Sequence, residues 1–169
     1  KDGKIRIYDK NRTELGYFTE TGTISHAGIP LKGNTYCIFQ DSKHNIWIAT
    51  KGEGLVKARP QGGGHYKLTR YCHSRDDIYS LSDNNVYCVY EDVKGRIWVA
   101  TFGGGINYLT HNRGGREIFV NHRNNLKGFP IDNCHKVRFV TGDHRGNIWI
   151  ATTVGALMVN SDFKKPEDA

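Results

Sequence analysis

The sequence holds no apolar run near the ~20 residues that a membrane-spanning helix needs, so no segment reads as transmembrane. Cysteine is scarce. Four in 169 residues do not make a disulfide scaffold, and Cys72 and Cys134 lack CxxC or Cys/His ligand spacing, which argues against a zinc site. The eight histidines follow no pattern. No stretch carries a convincing helical period. Gly103-Gly104-Gly105 is followed by no lysine and no expected helix, so it is not a phosphate loop. No Ser/His/Asp or Cys/His set can be assembled from recurring positions. The chain opens on Lys1-Asp2-Gly3 without a methionine or a signal-like segment, and it reads as a piece of something longer, in which a targeting signal outside these residues would not be visible. Its net charge of +7 is spread over turns and solvent faces instead of being gathered on one stripe, so a nucleic-acid partner is not expected.

One stretch is written three times. Asp41-Ser42-Lys43-His44-Asn45-Ile46-Trp47-Ile48-Ala49-Thr50 returns as Asp92 to Thr101 and again as Asp143 to Thr152. The three tryptophans are the only ones in the chain and stand 51 residues apart each time. A fixed period of this size means a repeat architecture. Each copy reads as a β-hairpin. An apolar run (Tyr36–Phe39, Val86–Tyr90, Val137–Val140) is followed by an Asp whose carboxylate can accept a backbone N–H two residues on. Gly95 and Gly146 supply the positive φ of the loop, and His44 or Asn45 must supply it in the first copy. The Ile-Trp-Ile/Val-Ala-Thr strand that follows is apolar almost throughout, which implies cover on both faces.

The remaining strands fall in the same cycle. Residues 1–33 read as the back half of a blade (strands at 5–8 and 15–18) followed by a long Thr/Gly/Ser-rich connector. Residues 34–84 form a blade with strands at 35–40, 46–50, 55–59 and 65–71. Residues 85–135 form another, with strands at 86–91, 96–101, 106–110 and 116–121. Residues 136–169 hold a partial blade, with a third strand at 157–159, and a polar tail from Ser161 that reads as frayed. Four antiparallel strands per repeat of this length is the signature of a β-propeller blade. The expected fold is therefore all-β: about three four-stranded blades within one propeller domain that is itself a fragment of a larger propeller. Cys37 and Cys88, at the same place in their repeats, are expected as buried reduced thiols.

The pattern Leu-Ser-x-Asn-x-Val-Tyr-x-Val-x-Glu-Asp-x-x-Gly-x-Ile-Trp-x-Ala-Thr-x-Gly-Gly-Gly-Ile, written from Leu81 to Ile106, resembles the two-component regulator propeller repeat. Copy one departs from it at His44 and Glu53, and copy three at Val154 and Ala156. Copy three also reads as carrying about three extra residues between Asn133 and Asp143. The resemblance implies the periplasmic sensor region of a Bacteroides-type hybrid histidine kinase, the extracytoplasmic part of a membrane-anchored inner-membrane parent. It implies a glycan-derived ligand, an oligosaccharide or polysaccharide fragment, and a phosphorelay carried by parts absent here. On this reading the segment is not itself an enzyme and takes no cofactor and no metal. The alternatives are an enzyme-type propeller such as a lyase, and a structural scaffold for protein contacts.

Single residues divide accordingly. Trp47, Trp98 and Trp149 sit in mid-strand, where an indole packs between neighbouring blades. Asp41, Asp92 and Asp143 fall on the same turn of successive blades, too far apart to act as a catalytic carboxylate pair. With Gly95 and Gly146 these make the structural repeat. Ligand contacts belong to positions that differ between copies, in the connectors and in the turn after the Trp strand. Those are Lys51, Phe102 and Thr153 after the Trp strands, and His73, Arg75, Tyr79, Arg123 and Asn125 in the connectors. Cations among aromatics suit an acidic or sulfated sugar. Three blades cannot close a ring at normal packing distance, since propellers typically have four to eight. Apolar faces beside Tyr36 and Ile38 and beside Ile148 and Ile150 are then expected to be open. Such faces lead to contact with further blades of the parent, or to a homo-oligomer if the fragment stands alone.

Overall fold

The computed structural model describes residues 3–160 and 162–164. The chain forms four antiparallel sheets. The first contains β1 (Arg6–Tyr8), β2 (Glu14–Phe18) and β3 (Ile24–Ser25); the second contains β4 (Asn34–Gln40), β5 (Ile46–Lys51), β6 (Leu55–Gly62) and β7 (His65–Tyr71). The third is built of β8 (Val86–Glu91), β9 (Ile97–Thr101), β10 (Gly105–His111) and β11 (Glu117–Val120). After a one-turn helix, α1 (Ile131–Cys134), come β12 (Val137–Gly142), β13 (Ile148–Thr152) and β14 (Gly155–Val159). Each sheet is a meander in chain order, so a strand pairs with the one that follows it. The opening strands β4, β8 and β12 lie side by side from sheet to sheet, which makes them the inner edge of a radial stack. These are propeller blades.

The Asp turn is built alike in all three copies. Gly95 and Gly146 have φ of 74° and 82°, and His44 takes the position in the first copy at 64°. A non-glycine residue in this region is uncommon, and His44 is held there by its N–H donating to the Asp41 carbonyl at 2.9 Å.

Period-2 alternation then decides what each blade shows its neighbours. On β5, Trp47 and Ala49 face the third sheet and pack with Val86, Val89, Ile97, Val99 and Phe119. Ile48 points the other way, toward Phe18 and Leu31 of the chain before it. On β9, Trp98 and Ala100 face the fourth sheet and meet Val137, Val140, Ile148 and Ile150. The Trp strands are apolar throughout because a blade covers each face. Polar stitches close the joint between the second and third sheets. The Ser42 N–H and hydroxyl donate to Glu91 at 2.6 and 2.7 Å, and Lys57 and Tyr71 both reach Glu117.

Several expectations need correction. Ser25 and Ile24, placed in a connector by the sequence, pair with Tyr17 and Phe18 and give the first sheet a third strand. A short helix stands at 131–134 where none was expected, its apolar side anchored by buried Cys134. The third copy carries no extra residues, because β12 lies 51 positions after β8 and both bulge at the same place. Ile148 and Ile150 are fully buried against the third sheet. The face left open at that end is the opposite one, with Phe139, Trp149 and Met158 at 54%, 44% and 51% exposure. Cys37 is only half-buried, although Cys88 is buried as expected. Ser161 and residues 165–169 of the tail lie outside the described residues. Phe163 does not dangle: its ring packs edge-on against Trp98 at 6.0 Å and tilted against Tyr108 at 5.8 Å.

The contrast between two equivalent tryptophans tests this packing. Trp98→Ala removes an indole with no exposed surface and is expected to cost ~3–5 kcal/mol. Trp149→Ala, at a site 44% exposed, is expected to cost about half of that or less. Thermal or denaturant unfolding of the two variants checks it. Equal losses would show that the indoles do not stabilise through inter-blade burial.

Candidate functional site

The inner strands carry a shared irregularity. Pairing between β4 and β5 slips between Thr35 and Cys37, between β8 and β9 it slips between Val86 and Cys88, and between β12 and β13 between Val137 and Phe139. The skipped residues are Tyr36, Tyr87 and Arg138, 51 positions apart. A bulge leaves one residue outside the hydrogen-bond ladder and re-aims its side chain. Here it brings the three toward one another at the start of the inner strands, the end where the connectors arrive.

The result is a continuous row. The Tyr36 and Tyr87 rings lie 4.6 Å apart, and Tyr87 stacks on Phe102 at 4.8 Å with the planes 16° from parallel. The Arg138 guanidinium caps Phe102 at 5.2 Å and Lys136 Nζ stands 5.7 Å from the same ring, a distance at which cations are attracted to aromatic faces. Phe102 is fixed by its own backbone, its N–H donating to the Asn85 carbonyl at 2.8 Å. Gly103 and Gly105 behind it both donate to the His135 carbonyl at 2.9 Å. Lys51 holds the place in the second sheet that Phe102 holds in the third. Among the described residues Lys51, Lys136 and Arg138 form no ion pair. The nearby carboxylate of Asp83 accepts hydrogen bonds from the backbone and side-chain amides of Asn85, at 2.7 and 2.9 Å.

The eight residues expected to contact a ligand do not form one site. His73, Arg75 and Arg123 do converge. Arg123 Nη1 lies 3.2 Å from His73 Nδ1 and 3.3 Å from Ser80 Oγ, and Nη2 donates to the Arg75 carbonyl at 3.2 Å. These contacts tie the guanidinium to the connector's own backbone. The same connector is locked from below by buried amides. Asn107 Nδ2 donates to Ser82 Oγ at 2.7 Å, and Asn121 Nδ2 to Asn107 Oδ1 at 3.0 Å. Tyr79 belongs to this knot through its carbonyl, which accepts the Phe119 N–H at 2.8 Å. Asn125 sits beside Lys127 in a separate shallow depression. Lys51 flanks a dip lined by Lys32, Gly33 and Asn34. Thr153 donates its N–H to the Lys136 carbonyl at 3.2 Å, and Phe102 alone stands in the aromatic row. Reading strands by alternation missed Tyr36, Tyr87, Lys136 and Arg138. The signal was present in the period, since Tyr36, Tyr87 and Arg138 are equivalent.

The three aspartates face their own hairpins. Asp41 Oδ1 accepts the N–H groups of Lys43 and Asn45 at 3.0 and 2.8 Å, while Oδ2 accepts Trp47 Nε1 at 2.8 Å. Asp92 repeats this with Lys94, Arg96 and Trp98, each at 2.9 Å, and Asp143 holds Trp149 Nε1 at 3.0 Å. Burial pushes the Asp41 and Asp92 carboxyls up, but the bonds from Trp, Asn or Arg side chains and from the backbone outweigh it. Both are held below the ordinary carboxylate range. At Asp143 the Trp149 and Asn147 bonds lead, and its carboxyl also lies well below that range. A carboxylate so engaged is no general acid. No cluster of three or more His, Cys, Asp or Glu residues suited to a metal occurs among the described residues.

Residues 30–52 and 80–103 match the family profile of the two component regulator propeller. Each matched span runs through an inner strand, an Asp turn and a Trp strand. Those two spans carry the two-component regulator propeller repeat. Among solved structures, these repeats superpose on the extracellular domain of BT4673 from B. thetaiotaomicron, described as a hybrid two component system. That match has a TM-score of 0.64 at 21% identity and covers 94% of this chain and 20% of that one. They also superpose on the extracellular domain of BT3049 from the same organism, with a TM-score of 0.56 at 20% identity over 96% and 28% of the two chains. A third likeness is to PorZ, a surface component of the type-IX secretion system of Porphyromonas gingivalis, with a TM-score of 0.56 at 15% identity over 85% and 19%. The chain thus spans between about a fifth and just over a quarter of the length of these structures. No curated protein sequence matches it.

The propeller repeats make a pH prediction. Asp92 titrates lower folded than unfolded, so its contribution is present above the unfolded carboxyl range near ~4 and is lost as pH falls through the folded value. The melting temperature is expected to drop steeply below about pH 4. Asp92→Asn should lower the neutral-pH stability by ~1–3 kcal/mol, as charge-assisted bonds are lost, and should flatten the acid limb. Calorimetry between neutral and acid pH checks it. An unchanged acid limb in the variant would remove Asp92 from the account.

Proposed function

We propose that the chain is part of the extracytoplasmic, periplasmic sensor propeller of a hybrid two-component system. It binds a glycan-derived ligand and passes the event to a histidine kinase and phosphorelay elsewhere in a membrane-anchored parent. The observation that carries this reading is the pair of regulator-propeller repeats, each built on its own Asp turn and Trp strand. The extracellular domains that share the fold support it. The role is binding without catalysis, because the repeated carboxylates are committed to turns and indoles. Residues 34–84 and 85–135 are taken as whole blade units, flanked by partial ones at 1–33 and 136–169. The exposed Phe139, Trp149 and Met158 face is of the kind that another blade of the parent covers, or a second copy when the chain is alone.

The test is incubation of the 169-residue chain with neutral and acidic glycans, read by calorimetric binding and by chromatography of products. Binding to at least one oligosaccharide without cleavage is the expected outcome. Reproducible cleavage abolished by a single point substitution would replace this reading with the lyase-type propeller, and absence of any glycan binding would remove the ligand class.

A further inference from the structure

The row at the head of the inner strands has three properties that ordinary rim residues do not combine. Its aromatic steps are regular, at 4.6 and 4.8 Å between ring centroids and 5.2 Å from the last ring to the Arg138 guanidinium. That rise is comparable to the advance of one sugar residue along a glycan chain. Its polar atoms are unspent: the Tyr36 and Tyr87 hydroxyls have no hydrogen-bond partner among the described residues, and Arg138 and Lys136 form no ion pair there. Three of its members, Tyr36, Tyr87 and Arg138, also stand outside the sheet ladder, since the bulged residues make no cross-strand pair, while Phe102 and Lys136 are held by a bridge to each other. Tyr36, at 47% exposure, offers the open ring at one end, and the two cations stand exposed at the other.

We propose that Tyr36, Tyr87, Phe102, Lys136 and Arg138 form a subsite for an acidic oligosaccharide, with a sugar ring against Tyr36 and a carboxylate or sulfate on Arg138 and Lys136. The inference rests on the sensor reading above and narrows its ligand. The free phenol hydroxyls match sugar hydroxyls in kind, each able to donate and accept. The planar guanidinium suits a carboxylate or sulfate with two oxygens, and stacking on Phe102 limits the rotamer freedom it would lose on binding. The close spacing of the three rings leaves no gap for a nucleobase. A ligand therefore lies along their edges and over the Tyr36 face instead of intercalating. The span from Tyr36 to Arg138 is several ring spacings, so an oligosaccharide engages both ends and a monosaccharide only one.

The experiment is isothermal titration of the 169-residue chain with a uronic-acid tetrasaccharide, a sulfated tetrasaccharide, a neutral tetrasaccharide and a single-stranded oligonucleotide. The variants are Arg138→Ala, Tyr36→Ala and the charge-matched control Arg113→Ala, a residue on the exposed β10–β11 turn. At least one acidic tetrasaccharide is expected to bind more tightly than the neutral one, and more weakly as salt is raised. Which of the two prevails decides between carboxylate and sulfate. Arg138→Ala is expected to weaken it by about tenfold or more, the size of one charge-assisted contact, while Arg113→Ala leaves it unchanged. Tyr36→Ala should weaken acidic and neutral sugars alike. Unaltered melting temperatures in the variants show that folding is intact. Neutral sugar binding that ignores both row variants overturns the subsite and leaves the sensor reading standing. Tighter binding of the oligonucleotide overturns the subsite as well, and no sugar binding at all removes both.

Discussion

A single hydrogen bond, made three times, sets the geometry of this chain. The aspartate that opens each hairpin accepts the indole N–H of a tryptophan six residues later while its other oxygen closes the turn. Turn and strand are thus locked to each other within each blade. The indole is oriented in the plane of that bond, and at Trp47 and Trp98 its body fills the wedge between sheets. At those two positions, without the carboxylate, a buried N–H would be stranded inside the interface. The Asp and the Trp are one unit, and the period of the sequence is the period of that unit.

Much of the fold was legible because the unit repeats. Residues 65–71 and 86–91 are strands in the sequence reading and in the structure alike, and the positive φ expected at His44 or Asn45 falls on His44. The β2–β3 pairing was not legible, since Ile24–Ser25 is too short to show alternation and depends on tertiary support. Nor was the choice of open face at the last blade. Ile148, Trp149 and Ile150 are all apolar, and composition alone does not tell which side a neighbour covers.

The candidate site was legible only in part, for a different reason. The sequence directed attention to the end of the blades where the connectors and the turns after the Trp strands meet, and the aromatic row lies at that end. It then favoured cations in the connectors, and there the structure shows Arg123 engaged with His73, Ser80 and the Arg75 carbonyl. A charged side chain in a loop reads the same whether it is free or tied to nearby backbone. The aromatic row went unseen because bulges break the alternation by which strand residues are assigned to faces. Tyr36, Tyr87 and Arg138 carry the right spacing but the wrong parity.

The bulge that each inner strand shares has a consequence for how such a chain diversifies. Residues in the ladder are constrained twice, by cross-strand partners and by the neighbouring blade. The bulged residue escapes the first constraint and meets the neighbouring blade only through the row at the head of the strands, and its occupants here differ: two tyrosines and an arginine at one equivalent position. Each blade therefore carries one slot whose side chain can be exchanged at little cost to folding. Slots from successive blades stand in line, so blades written with one structural grammar can spell different surfaces, letter by letter, toward the axis they surround.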